Sequence, residues 1–202
     1  MTKDSVLILF HSKRLEEGTN LNGLVSELNW SEIEGGQYKD PLYVNYKIIS
    51  LNQLFENLPN LKDLQFSLDC KLNEKERDEA HVNKYVNALL RVVDKYDLTN
   101  NVFVEFQDFS YLAKFKEVRP EIRSLIYLNF EYGFEVAKNL DLYGISISTN
   151  DISAEQIKQA HDEGIRVSLF GMHTTKKNLD AIKKNPDFLQ TDRVKHLVKV
   201  LK

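Results

Sequence analysis

The sequence contains a single cysteine, Cys70, among 202 residues. That excludes an intrachain disulfide and any zinc site built on paired thiolates. No apolar segment reaches the roughly 18 residues of a membrane span, and "VLILF" near the start is shorter than the core of a secretory signal. The chain as written is expected to be soluble and cytoplasmic. A basic block is also missing: the 27 Lys and Arg are spread along the chain and the formal net charge is -3. Without a concentrated positive surface there is no footprint for nucleic acid. No internal repeat, low-complexity tract or shift in composition marks a boundary, so residues 1–202 are expected to form one domain.

What is present is a rhythm. Short apolar runs recur as "SVLILF", "LQFSL", "NVFVEF", "SLIYL", "YGISIS", "RVSLF" and "DFLQT", each followed by a polar, helix-like stretch. Repeated strand–helix units of this kind predict an α/β fold with a parallel sheet. In "NEKERDEAHVNKYVNALLRVVDKY", residues 73–96, Val82, Val86, Leu89, Leu90 and Val93 share one helical face behind an Asn73 cap and an acidic first turn. "SAEQIKQAHDEG" carries a capping box from Ser153 to Gln156 and a stop at Gly164. Only residues 14–47, rich in Gly, Asn and Glu, break the rhythm; they read as a long surface excursion.

In parallel α/β folds the reacting groups collect at the C-terminal ends of the strands. Here those ends offer His11 after the first run, Asp69 and Lys71 in "FSLDCK", Glu105 and Gln107 in "VFVEFQ", and Asn129 in "IYLN". Ser146 and Ser148 follow in "ISIS", and Phe170 and His173 in "LFGMH". Strand alternation places Asp69 and Lys71 on one face and Cys70 on the other. Two carboxylates on separate strands beside a lysine suit a hard divalent cation and a phosphate. The same residues also permit plainer readings. A lone histidine at a strand end is as often a structural hydrogen-bonding group, and Asp69 with Lys71 can be an ion pair and nothing more. His81, His161 and His196 fall in helical stretches and read as packing or surface residues.

The pattern resembles the glycerophosphodiester phosphodiesterase family at six places in the same order. "TKDSVLILFHS" is similar to T-x-D-G-x-x-V-x-x-H-D, "KIISLNQLFENL" to I-P-T-L-E-E-V-L, and "FSLDCKL" to the I-E-x-K strand. "NVFVEFQDFSYLAKFKEVRPEI" resembles the Ser-Phe segment that ends in x-P-x-I, "SAEQIKQAHDEGIRVSLFGMHTTKKN" the approach to W-T-V-N, and "PDFLQTDRVKHL" the closing G-I-I-T-D-x-P. The resemblance implies a TIM-type (β/α) barrel that hydrolyses glycerophosphodiesters to an alcohol and glycerol 3-phosphate with a divalent metal, magnesium or calcium. It casts His11 as the acid or base, Asp69 as a metal carboxylate and Lys71 as a phosphate contact. Glu105 is the substitute metal carboxylate, and Asn129, Phe170 and His173 line the cleft.

Departures from the pattern are equally specific. Nothing corresponds to the family's opening H-R-G and P-E-N-T or to its E-x-D pair, and Ser12 stands where aspartate is usual. The expected barrel is therefore incomplete, with about six strands plus an N-terminal hairpin strand. Either Met1 is an internal methionine of a longer protein or the barrel is completed in another way. Lacking a histidine and two metal carboxylates, the chain is expected to be a weak or inactive phosphodiesterase. The alternative is a non-catalytic protein that binds a small phosphorylated ligand or self-associates through an exposed sheet edge.

Overall fold

The computed structural model describes residues 1–72 and 78–202, and its elements follow the predicted alternation. Two short helices come first, α1 (Trp30–Ile33) and α2 (Leu51–Asn57). Then follow β1 (Phe66–Asp69), α3 (Glu79–Lys95), β2 (Val102–Phe106), α4 (Phe109–Val118), β3 (Arg123–Tyr127) and α5 (Phe130–Asn139). The series closes with β4 (Gly144–Ser148), α6 (Ala154–Asp162), β5 (Arg166–Met172), α7 (Thr175–Ile182), β6 (Phe188–Thr191) and α8 (Val194–Val200). These residues divide into two compact units, Met1–Phe66 with Cys70–Val102, and Ser67–Asp69 with Phe103–Lys202.

In the first unit, the opening run makes one isolated antiparallel bridge, Ile8 to Ser50, flanked by bonds from Leu9 N to Ile49 O and from Leu51 N to Leu7 O. The expected hairpin strand is this short because its partner turns into a helix at once. Ser50 caps α2: its hydroxyl accepts from Gln53 N, and Gln53 Oε1 accepts from Ser50 N. The excursion at 14–47 has more order than a surface loop. Leu15, Val25, Ile33 and Ile48 are buried in a small core, with Ile8, Phe10, Leu21, Leu28, Trp30 and Tyr38 packed against it. Their spacing follows neither a helical nor a strand period, so the pattern that reveals core faces elsewhere is silent here. The Asn73 cap expected for α3 lies outside the described residues; the described helix starts on Asp78, whose carboxylate accepts from His81 N. All five apolar residues expected on its face are buried.

The second unit carries the sheet. Its strands lie in the order β1-β2-β3-β4-β5-β6, and β2 through β6 pair in parallel at every step. Strand and helix alternate, and α4 through α7 each begin on a side chain that suits the first turn. Asp108, Asn129, Ser153 and Thr174 each accept a backbone N–H at the start of α4, α5, α6 and α7. At α6 the full capping box forms, and Gly164 follows at φ 77°, a left-handed conformation that favours glycine. The outward-facing residues Ile126 and Ile145 pair across β3 and β4 and lie beneath Gly133 of α5.

The sheet is strongly curled, which a single contact demonstrates. Gln190 on β6 donates through Nε2 to Glu105 Oε1 on β2 at 3.0 Å, and the rings of Phe103 on β2 and Phe188 on β6 are 5.2 Å apart. Four strand spacings in a flat sheet would separate those strands by about 19 Å. The six strands therefore form an open barrel of the TIM type that is incomplete.

Gly144 is fixed by the neighbouring strand: an added Cβ would lie 2.4 Å from the backbone O of Arg166. Gly144→Ala is expected to lower stability by about 1–3 kcal/mol, read as a reduced urea midpoint. Asp187 offers a pH-dependent counterpart at the entry to β6. Burial raises its carboxyl pKa, but the Val167 amide, Arg166 and His161 together outweigh it and hold the group below its ordinary value. A depressed folded-state value means the carboxylate stabilises the fold above the usual aspartate range, and this contribution is lost as pH falls through the folded value. Asp187→Asn should therefore be less stable than the parent chain at neutral pH. The gap should narrow below pH about 4, checked by urea unfolding across pH.

Candidate functional site

The inner face of the barrel is layered. At its lower end Phe103, Arg123, Tyr143 and Phe188 meet, with the Arg123 guanidinium 3.8 Å from the Phe103 ring centroid and 5.9 Å from that of Tyr143. The rings give the guanidinium a cation–π seat at that end. One layer higher the lumen is polar. Glu105 is 5% exposed, and its Oε1 accepts from Ser67 Oγ and from Gln190 Nε2. Gln190 Nε2 also lies 3.0 Å from Ser168 Oγ and 3.3 Å from Ser146 Oγ, both buried hydroxyls. Above this layer Tyr127 and Phe170 meet edge to face, 4.9 Å between centroids.

Charged groups gather where β5 and β6 end. His173 Nδ1 stands 2.5 Å from Asp192 Oδ2, with both side chains 68% exposed. Arg193 donates through Nε to the backbone O of His173 at 3.1 Å. The backbone below is held by Asp192 N to Met172 O and by Thr191 Oγ1, which donates to Met172 O and Asn178 Oδ1.

The residues anticipated from sequence are distributed as follows. Asp69 is exposed at the end of β1, Cys70 is buried, and Lys71 is half-buried, as strand alternation requires. Glu105 shares the inward face with Ser67, and by parity with Asp69, but it sits within the lumen; Gln107 is the exposed residue at the end of β2. Asn129 is exposed and its Oδ1 accepts from Tyr132 N, so that oxygen serves as the cap of α5. Phe170 is half-buried against Tyr127. His11 is an exposed residue of the first unit, just beyond the Leu9 to Ile49 bond. Sequence reasoning missed Gln190, Asp192 and Arg193. The one available signal was their place in or just after "DFLQT", at the end of a predicted strand.

A divalent cation asks for several oxygen ligands with carboxylates among them. Among the described residues no three His, Cys, Asp or Glu side chains are grouped so as to hold a metal ion. The described donors alone therefore do not make up a complete metal site. Nor is any described helix long and apolar enough to cross a membrane.

The fold is thus an open TIM-type barrel with a polar lumen and ionisable groups at its strand ends. The chain belongs to the glycerophosphoryl diester phosphodiesterase family, whose profile matches residues 1–196. That family is generally dependent on a divalent metal. Among solved structures, a protein from Galdieria sulphuraria assigned as a glycerophosphodiester phosphodiesterase is 20% identical with a TM-score of 0.83, the match covering 100% of this chain and 82% of that one. An Oleispira antarctica phosphodiesterase, solved with the product sn-glycerol-3-phosphate, is 18% identical with a TM-score of 0.83, covering 100% and 81%. A glycerophosphodiester phosphodiesterase from Parabacteroides distasonis is 16% identical with a TM-score of 0.83, covering 99% and 79%. No curated protein matches the sequence.

The lumen layer can be tested directly. Gln190→Ala removes one of the two donors on Glu105 Oε1 and should cost about 1–3 kcal/mol, measured by urea unfolding. Replacing both partners, as Glu105→Leu with Gln190→Leu, should recover part of that loss, because no buried carboxylate is then left short of a donor.

Proposed function

We propose that residues 1–202 act as one phosphodiesterase domain that hydrolyses a glycerophosphodiester to an alcohol and glycerol 3-phosphate, and does so slowly. The observation that carries this reading is the family match over 1–196. The product-bound Oleispira antarctica structure supports a small phosphorylated ligand as the class of substrate. In this reading His11 is an acid or base, Lys71 contacts phosphate and Asp69 is the metal-facing carboxylate. Glu105 adds a second negative charge from within the lumen, where Ser67 and Gln190 already bind one of its oxygens. Asn129, Phe170 and His173 belong to the rim around the substrate.

The low activity follows from the donor set. A hard cation must recover its hydration energy from several oxygens, and Asp69 is the one carboxylate at a matching position that is also exposed at a strand end. Magnesium or calcium is accordingly expected to bind weakly. A cytoplasmic location, and pairing of two copies through a terminal strand of the sheet, complete the reading; an unpaired edge leaves backbone groups open to a partner.

The test is turnover of glycerophosphocholine and glycerophosphoethanolamine with added magnesium or calcium, beside His11→Ala. Slow, metal-stimulated turnover that falls about 100-fold or more in the variant supports the reading. Glycerol 3-phosphate binding with no turnover under any condition would replace it with a non-catalytic binding role.

A further inference from the structure

From the cluster at the ends of β5 and β6 we infer that His173, Asp192 and Arg193 form a phosphate-handling unit in which His173 is the proton donor to the departing alcohol. The inference rests on the phosphodiesterase reading and deepens it. Four observations carry it. The cluster lies at the C-terminal ends of two adjacent barrel strands, the side on which barrel chemistry is done, and loops after the last two strands of such barrels frequently hold phosphate. His173 Nδ1 is held by Asp192 at 2.5 Å, so its Nε2 is the ring nitrogen left to face a ligand and has no protein partner among the described residues. Arg193 is tethered by Nε to the backbone of His173. Its two terminal nitrogens make no ion pair or hydrogen bond among the described residues, and they present the planar fork that suits phosphate oxygens. Finally, the His173–Asp192 pair is 68% exposed on both sides, and exposed ion pairs are worth only about 0–1 kcal/mol. Stability alone is a poor reason for this arrangement.

The chemistry balances without any group beyond water and the substrate. Arg193 binds the two non-bridging oxygens of the diester. Water oxygen forms the new bond to phosphorus as the bond to the alcohol oxygen breaks, and the imidazolium Nε2–H passes its proton to that departing oxygen. The proton lost by the attacking water restores the imidazolium. Asp192 is a positioning residue that fixes the ring so that Nε2 faces the leaving group.

The experiment compares two diesters on the full chain. Glycerophosphocholine has a poor leaving group that needs a proton, whereas bis(p-nitrophenyl) phosphate releases a phenolate that does not. His173→Gln should lower glycerophosphocholine turnover by about 100-fold or more and bis(p-nitrophenyl) phosphate turnover by less than about 10-fold. Asp192→Asn should lower kcat for glycerophosphocholine with little change in KM, and Arg193→Met should raise KM for both diesters. An equal loss on the two substrates in His173→Gln, or no loss on either, overturns the inference. If the parent chain turns over neither diester, the functional reading fails and the unit is tested by binding instead. Inorganic phosphate should then shift the ring NMR signals of His173 in the parent chain and not in Arg193→Met; no shift in the parent chain overturns the inference as well.

Discussion

The hydrogen bond between Gln190 and Glu105 is the constraint on which the barrel depends. A buried carboxylate loses its water and must be given donors, or the loss is several kcal/mol. One donor is local: Ser67, on the adjacent strand β1. The other comes from β6, four strands away in the sheet order, and reaches Glu105 only because the sheet curls. The same amide passes close to Ser146 and Ser168, so a single side chain serves polar atoms from three strands. An amide nitrogen has two hydrogens for these three acceptors, and the two hydroxyls can orient to share them. Curvature and burial therefore support one another, since flattening the sheet would leave Glu105 short of a donor.

This arrangement explains why so much of the fold was legible. Strand alternation with capped helices is written in short-range patterns, and those patterns are local physics. Ser153 and Gln156 announce α6 because the two side chains must bond each other's backbone, and Gly164 ends it because the chain turns left-handed there. Asp69 exposed beside a buried Cys70 follows from the two-residue period of a strand. The same period separates Glu105 from Val104 and Phe106, but burial does not: all five residues of β2 are buried, because α4 covers one face and the curled lumen the other.

What escaped the sequence is what topology alone assembles. Glu105 and Gln190 are 85 positions apart, and His173 and Asp192 are 19 apart at the ends of neighbouring strands. No spacing rule joins such pairs; they meet because parallel strands return to the same end of the sheet after each helix. The small core formed by residues 15–48 was hidden for a related reason. Leu15, Val25, Ile33 and Ile48 are brought together by short turns and isolated bridges, and irregular turns have no period to detect.

From the lower end of the barrel to its C-terminal strand ends, the inward side chains change in a consistent order. Phe103, Tyr143 and Phe188 with a stacked Arg123 come first, then the Glu105 layer with its neutral donors, then Tyr127 against Phe170, and last the exposed His173, Asp192 and Arg193. Each step makes physical sense in the light of the one before. Glu105 above the rings is itself buried, so its carboxyl must be satisfied by protein. Once Ser67 and Gln190 have done that, one of its oxygens is occupied within the lumen. The aromatic pair lies between this buried layer and the rim, and the exposed ionisable groups His173, Asp192 and Arg193 are left to the strand ends, where water can reach them. The exposed ionisable groups of this barrel thus lie above Tyr127 and Phe170, while the Glu105 carboxyl beneath them is engaged in holding the curl.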